Sequence, residues 1–469
     1  MDYFSTRGAA PVIGFGDALL AGLAPDGGLY LPHEWPRLSN DAIAGFAGRP
    51  YAEVAANVVH QFAADEFDHA ELLEMSRAAY AGFAHPAVAP LVQIGANAFV
   101  LELFHGPTLA FKDLAMQLLA RMMDRALAKR GRRATIVGAT SGDTGSAAIE
   151  AFRGSERVDV FILFPKGRVS PVQQRQMTTV PDANVHAIAV EGSFDDCQML
   201  LKEMFRRERF RRGVSLAAVN SINWARIVAQ AAYYFTAATN LGAPDREIAF
   251  AVPTGNFGDV FAGYVAERMG LPIERLLIAT NSNDILARTF ATGRYEVRTA
   301  IATASPSMDI QISSNFERLL SEVYGRDGAA VARLMQGLAQ SGAFQIDVGA
   351  MERIHSLFAA DRADEAEMAA AMRSTFEKAG YLADPHTSVA LSVAARHPAP
   401  DGAPMVTLAT AHPAKFPDAV EKATGIRPKL PAHLADLFGR EESFAVLAND
   451  IDAVETYIEA RARAATLEA

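Results

Sequence analysis

The stretch HGPTLAFKDLAMQLL, residues 105–119, contains one lysine, Lys112. From Leu114 to Ala120 no residue is charged, and Leu, Ala and Met occur around nearly the whole helical circumference. A helix that is apolar on every side is buried, so the pattern puts an ammonium group at the mouth of a buried helix. Desolvation there lowers the pKa of a lysine and leaves part of it as free amine, the form that attacks carbonyl carbon. The competing reading is a packed stem whose head reaches water.

Three loops carry groups of complementary type. In TGNFGD (254–259), Gly255 and Gly258 flank Asn256 and Phe257, with an apolar strand before them and a helix after. Glycines let amide hydrogens converge, and a helix start adds partial positive charge. The loop is therefore either an amide-lined anion site or a bare strand-to-helix connection. It matches neither G-x-G-x-x-G nor G-x-x-x-x-G-K-[ST], which counts against dinucleotide oxidoreductases and P-loop nucleotide hydrolases.

GATSGDTGSAA (138–148) lies between a strand and a helix of small residues. Thr140, Ser141, Asp143 and Thr144 offer hydroxyls and a carboxylate, while Gly142 and Gly145 permit close approach. Helix capping needs fewer such groups, which favours binding of a carboxylate. In NSINWARIVAQAAYYFTAATNL (220–241), Arg226 is the sole charge between Trp224 and Leu241. It sits in the first turn of an apolar helix, where the helix dipole opposes it. It meets either a ligand anion or a structural carboxylate. Asn220 and Ser221, read as the caps of this helix, face the same anion. An aldehyde cofactor carrying a phosphate needs one amine to bond and one set of amides to hold the anion, and that pairing describes pyridoxal phosphate.

Fully apolar strands alternating with helices must position these loops. In ATIVGAT, VDVFILFP, NVHAIAVEG, EIAFAVPTGNFG, RLLIATNSND and MVTLATAHPAKF an apolar strand gives way, within or just after the stretch, to glycine and polar residues. That order predicts an α/β fold of parallel sheets covered on both faces, with ligands beyond the carboxyl ends of the strands. The first ninety or so residues are mostly helical in pattern.

The chain has 469 residues, 50% hydrophobic and 21% charged, enough for two or three domains with large cores. Its net charge of −10 (44 basic against 54 acidic residues), with no basic run, argues against a nucleic-acid partner. A lone cysteine, Cys197, fits a reducing compartment. No signal peptide and no bilayer-spanning segment are expected, so the predicted location is the cytoplasm. His105, His186, His386 and His412 are dispersed without paired ligand spacing, and no metal is expected.

In their order along the chain, FKD (111–113), SGDTG (141–145), GNFGD (255–259) and LATAHPAKF (408–416) resemble the fold-type II pyridoxal-phosphate enzymes. FSTRG and LAPDGGLYLP near the N-terminus make the chain similar to the longer, bacterial and fungal branch of the threonine synthases. The resemblance runs from Tyr3 to about Arg427. It implies a tryptophan synthase β-like fold of two parallel-sheet α/β domains, with a mostly helical N-terminal domain. The expected boundaries are 1–92 for the N-terminal domain, 93–130 with 215–430 for the large cofactor domain, 131–214 for the smaller domain, and 431–469 for a C-terminal helical segment.

The same resemblance implies a lyase of threonine biosynthesis, converting O-phospho-L-homoserine and water to L-threonine and phosphate. Another fold-type II lyase, such as a threonine or serine dehydratase or a phosphohomoserine phospho-lyase, is the alternative. Carried onto this chain, Lys112 bonds the cofactor, and Gly255, Asn256, Phe257, Gly258 and Asp259 surround its phosphate. Thr410 offers a hydroxyl to the ring nitrogen. Asp143 stands where many relatives carry an asparagine facing the phenolic oxygen. Ser141, Gly142 and Thr144 take the substrate carboxylate; Arg226, Ser221 and Asn220 take its phosphate, with Lys166 assisting. The implied assembly is a monomer or homodimer.

Overall fold

The computed structural model describes residues 1–140 and 142–465. In chain order, β1 (Tyr3–Ser5) pairs antiparallel with β2 (Tyr30–Pro32), and β3 (Leu91–Gln93) with β4 (Ala98–Glu102). Next come β5 (Ala134–Ala139), β6 (Val158–Pro165), β7 (Val185–Glu191) and β8 (Leu216–Ala217), then β9 (Ile248–Pro253) and β10 (Ile273–Thr280). A small antiparallel pair, β11 (Arg294–Glu296) with β12 (Ala343–Gln345), precedes β13 (Phe358–Arg362), β14 (Met405–Ala409) and β15 (Ala445–Ala448).

Two sheets result. The larger has the order β13-β10-β9-β14-β4-β3, parallel except for the edge strand β3. The smaller, β15-β7-β6-β5-β8, is parallel throughout. Every residue of β6 and of β9 is buried, as strands covered on both faces must be. The apolar runs that forecast a parallel α/β architecture therefore occupy the middles of the sheets.

The helix Trp224–Asn240 is the axis of the large domain. Each residue from Trp224 to Thr239 is buried, and the helix packs against Lys112–Lys129, Gly258–Arg268 and the N-terminal helix Tyr51–Ala63. Residues 114–120 are likewise all buried. The N-terminal residues share this core: Tyr3, Phe15, Val54, Val58 and Phe62 lie in one apolar cluster with Trp224 and Leu114. Thr6 and Arg7 also reach into the large domain, their side chains donating to Glu317 at 2.6 and 3.0 Å.

Two expectations change. The tail after residue 431 is not simply helical: β15 joins the edge of the small sheet beside β7, and Val454 and Ile458 of the following helix fill that sheet's core. A four-residue edge strand, half exposed, leaves little periodic signal. The small sheet also extends past residue 214, because β8 pairs with β5 at Thr135 and Ile136.

Candidate active site

The loops singled out in the sequence all follow the carboxyl ends of parallel strands, where an open α/β sheet leaves room for a ligand. Lys112 opens the helix Lys112–Lys129. Its approach is stitched to the loop after β14: the Phe111 amide donates to the Thr410 carbonyl at 2.9 Å, and the His412 amide to the Leu109 carbonyl at 3.0 Å. Thr410, itself buried, is thereby fixed beside the lysine. Asp113 locks the turn from the other side, accepting from the Thr108 amide at 2.8 Å and its hydroxyl at 2.6 Å. Burial pushes the Asp113 carboxyl up to about 6.

The Lys112 side chain is 11% exposed, with Nζ 3.6 Å from Asp143 Oδ2 and 4.9 Å from the centre of the Phe111 ring. Desolvation lowers its pKa, Asp143 opposes this, and the cations Lys415 and Arg226 reinforce it. The direction is the one expected of an amine at the mouth of a buried helix, and desolvation is its largest cause.

Asp143 is gripped on both oxygens. Lys415 Nζ and Gln173 Nε2 each approach Oδ1 at 2.8 Å, and Ser307 Oγ donates to Oδ2 at 3.2 Å. Burial alone raises the pKa of this carboxyl, but the ammonium groups of Lys415 and Lys112 outweigh it and hold the group well below the usual carboxylate range. Asp143 is ionised, and it caps nothing: the N-cap of Asp143–Phe152 is Gly142. Gly142 has φ of 152°, where any side chain is strained, and a Cβ there would stand 2.3 Å from the Gln173 carboxamide and push it aside. Thr140 Oγ1 braces the loop by accepting from the amides of Gly142 and Gly145. Thr144 is half-buried in the first helical turn. Ser141 lies outside the described residues.

The loop after β9 has its carbonyls turned to protein and its amides left over. Gly255 O accepts from Ser313 Oγ at 2.6 Å, and Asn256 O accepts from both the amide and the carboxamide of Asn315 at 3.0 Å. Phe257 takes a left-handed conformation (φ 65°) at the start of the helix Gly258–Arg268, held by ring contacts with Phe316 and Phe358. Among the described residues, the amides of Gly255, Asn256, Phe257 and Gly258 meet no acceptor. A Cβ at Gly255 would stand 3.1 Å from the Ser307 carbonyl, a tight contact that glycine avoids. Amides without acceptors at a helix start, in a loop that holds no Lys or Arg, fit a phosphate. The residues present therefore suit the phosphorylated aldehyde that Lys112 would bond.

Asp259 departs from expectation. Its carboxyl turns into the helix Trp224–Asn240, where Tyr233 and Tyr234 donate to Oδ1. Burial pushes it up to about 7 against those hydrogen bonds. The side chain is thus engaged by tyrosines, and its amide is what it can offer a phosphate.

Arg226 is 3% exposed and pairs with no carboxylate among the described residues; Nη1 donates to Val219 O at 3.1 Å and Nε has no partner. Burial lowers its pKa to about 10. An orphaned buried guanidinium within electrostatic reach of Lys112 favours a ligand anion over a structural ion pair. Asn220 and Ser221 do not cap this helix. Asn223 does, its Oδ1 accepting from the Ala225 amide while Nδ2 holds Leu19 O. Ser221 faces the phosphate loop instead, its carbonyl accepting from Asn315 at 3.2 Å. Lys166 is not drawn into this cluster: half-exposed, it pairs with Glu191 at 3.0 Å. Of the histidines near the site, His105 pairs with Glu102 at 2.7 Å, and His412 Nδ1 accepts from the Ala414 amide.

Two residues escaped the sequence reading. Lys415, 1% exposed, directs its ammonium at Asp143, Thr108 O and Gln176 Oε1. His386, held at Nδ1 by Asp384, accepts the Ser307 amide at 3.2 Å and so sets Ser307 against Asp143. The signal for Lys415 was the same as for Lys112: a single lysine in the apolar surroundings of AHPAKF.

Known proteins match this chain along nearly its whole length. Residues 2–80 match the family model for the threonine synthase N terminus, 86–344 that for pyridoxal-phosphate dependent enzymes, and 387–458 that for the threonine synthase C-terminal region. The chain is 52% identical to a threonine synthase of Pseudomonas aeruginosa, over 98% of each chain. It superposes on the crystal structure of a pyridoxal-phosphate-bound threonine synthase from Brucella melitensis with a TM-score of 0.97, at 62% identity over 99% of this chain and 100% of that one. The yeast threonine synthase structure gives 0.93 at 39% identity over 98% of each chain.

Proposed function

The chain belongs to the threonine synthase family, and from that premise we propose that it converts O-phospho-L-homoserine and water to L-threonine and phosphate, with pyridoxal phosphate bonded at Lys112. The observation that carries the reading is the pairing of a desolvated amine at Lys112 with acceptor-free amides at Gly255, Asn256, Phe257 and Gly258. The cofactor, when bound, supplies an electron sink that makes the hydrogens on the substrate's α and β carbons acidic.

The remaining work falls to the protein. The four amides would hold the cofactor phosphate, Thr410 would offer its hydroxyl to the ring nitrogen, and Asp143 would stand toward the phenolic oxygen. Gly142 and Thr144, with Ser141, receive the substrate carboxylate at the start of a helix, where the dipole favours it. Arg226 and Ser221 receive the substrate phosphate, which answers the unpaired Nε. Lys112 Nζ takes a proton from the α carbon and one from the β carbon, after which the C–O bond at the γ carbon breaks and phosphate leaves with the electron pair. A proton then goes back to the γ carbon, water gives its hydroxyl to the β carbon and its proton to phosphate, and a proton returned to the α carbon completes threonine. A base of depressed pKa suits these transfers near neutrality.

The proposal extends to the setting: a cytoplasmic enzyme, monomer or homodimer, with Cys197 buried as a free thiol. Among the described residues no helix is long and apolar enough to cross a membrane. Purified protein supplied with O-phosphohomoserine and pyridoxal phosphate should release phosphate and threonine in equal amounts. Phosphate accompanied by 2-oxobutanoate in place of threonine would reassign the chain to a dehydratase-like lyase.

A further inference from the structure

Asp143 raises a physical problem. A carboxylate inside the cofactor site, 4% exposed, should not stay charged where it faces a second anion, the phenolic oxygen of the cofactor. The structure answers with a cation on its far side. Lys415 Nζ lies 2.8 Å from Asp143 Oδ1, while Lys112 Nζ lies 3.6 Å from Oδ2. The Lys415 ammonium has three donors and three acceptors: Asp143, the Thr108 carbonyl at 2.6 Å and Gln176 Oε1 at 3.1 Å. It has none left for a ligand, so Lys415 does not itself touch substrate or cofactor.

We propose that Lys415 is a positioning residue whose ammonium neutralises Asp143 and thereby sets how much of Lys112 is free amine. The pair Asp143–Lys415 then stands as one nearly neutral unit where many fold-type II relatives carry an uncharged asparagine. This rests on the assignment of Lys112 as the attachment point. The other charged or titratable groups that act on Lys112 are Arg226 from the helix Trp224–Asn240 and Asp259 from Gly258–Arg268. Neither touches Asp143 through a bond seen among the described residues, so the pair can be changed independently of them.

The signs follow from Coulomb's law. Removing Lys415 leaves Asp143 to Lys112 alone and raises the lysine's pKa. Removing the carboxylate leaves two ammonium groups in one pocket and lowers it. Removing both charges returns it close to the start. The test uses the full chain freed of cofactor and mixed with pyridoxal phosphate, following the rate of growth of the visible absorption band against pH. The midpoint of that profile reports free amine at Lys112.

K415M should move the midpoint up by about one unit or more, D143N should move it down, and D143N/K415M should lie within about half a unit of the unaltered chain. K415R, which keeps the charge, should shift it least among the single variants. If K415M does not fold, D143N/K415M still decides the matter, because a neutral pair needs no counter-ion: soluble protein with the original midpoint supports the proposal. An unmoved midpoint in K415M, or a double variant insoluble or as displaced as K415M, overturns it. Absence of any band in the unaltered chain would instead sink the Lys112 assignment, so the two failures are distinguishable.

Discussion

Asn315 holds Asn256 by its carbonyl twice, through the backbone amide and through the side-chain carboxamide, each at 3.0 Å. Arg318 in turn donates to Asn315 Oδ1 and, through its other nitrogens, to Tyr30 O at 3.0 Å and Ile222 O at 2.6 Å. One buried guanidinium therefore ties an N-terminal strand, the loop before Arg226 and the phosphate loop together. With the Asn256 carbonyl pinned away, the amides of the loop are left to face an anion.

Asn315→Ala keeps the backbone amide's bond to that carbonyl but removes the carboxamide's, along with the contacts to Ser221 O and Arg318. It should weaken cofactor binding about tenfold, since lost hydrogen bonds of this kind are worth roughly 1–1.5 kcal/mol. Titration of cofactor-free protein with pyridoxal phosphate, followed by visible absorbance, measures it. An unchanged dissociation constant would mean that the loop holds its shape without Asn315.

Lys112→Ala should abolish the visible band and leave borohydride no adduct to fix at position 112. Peptide mapping after reduction locates the adduct in the unaltered chain. Because the helix Lys112–Lys129 buries residues 114–120 through apolar contacts, the fold itself should survive the loss of one partly exposed ammonium group.

Much of this was legible in the sequence where chemistry and local pattern coincide. The runs VDVFILFP and IAFAVP announced fully buried strands, Lys112 stood out at the mouth of the uncharged run Leu114–Ala120, and Arg226 stood out as the sole charge of an apolar helix. Those signals lie within one element. What escaped depends on partners far apart in the chain: Lys415 meets Asp143 only once the loop after β14 folds against the small sheet. His386 likewise gains its meaning from Ser307. The capping of Trp224–Asn240 by Asn223, in place of Asn220 or Ser221, is a boundary displaced by two or three residues, the scale at which helix ends are least readable. Lys166, which the resemblance implied as assisting, is half-exposed and forms an ordinary ion pair with Glu191.

Arg226→Ala should raise the KM for O-phosphohomoserine roughly 10- to 100-fold, the worth of a charge-assisted hydrogen bond, with a smaller change in kcat. Lys166→Ala should change neither by more than about twofold, because an exposed pair contributes little. Steady-state kinetics on both variants give the contrast. Equal KM values for Arg226→Ala and the unaltered enzyme would return this arginine to a purely structural part.

Asp259 makes a prediction about stability. Its folded-state pKa is pushed up to about 7 by burial, against an unfolded value near 4. Below pH 4 both states hold the proton, and the group has no net effect relative to that reference. Between about 4 and 7 the unfolded chain gives up its proton while the folded chain keeps it, so this residue makes folding less favourable as pH rises. The effect levels off above 7. Asp259→Asn cannot ionise, yet its side-chain oxygen can still accept from Tyr233 and Tyr234. Cofactor-free Asp259→Asn should therefore gain stability relative to the unaltered chain on going from pH 4 to pH 8, by a few kcal/mol at most. Asp143, whose pKa is depressed, acts with the opposite sign below pH 4 in both proteins and cancels from the comparison. Denaturant midpoints for the two proteins at several pH values measure the difference. A difference independent of pH across that window would mean that Asp259 is ionised in the folded chain throughout, with Lys112 and the tyrosines outweighing its burial.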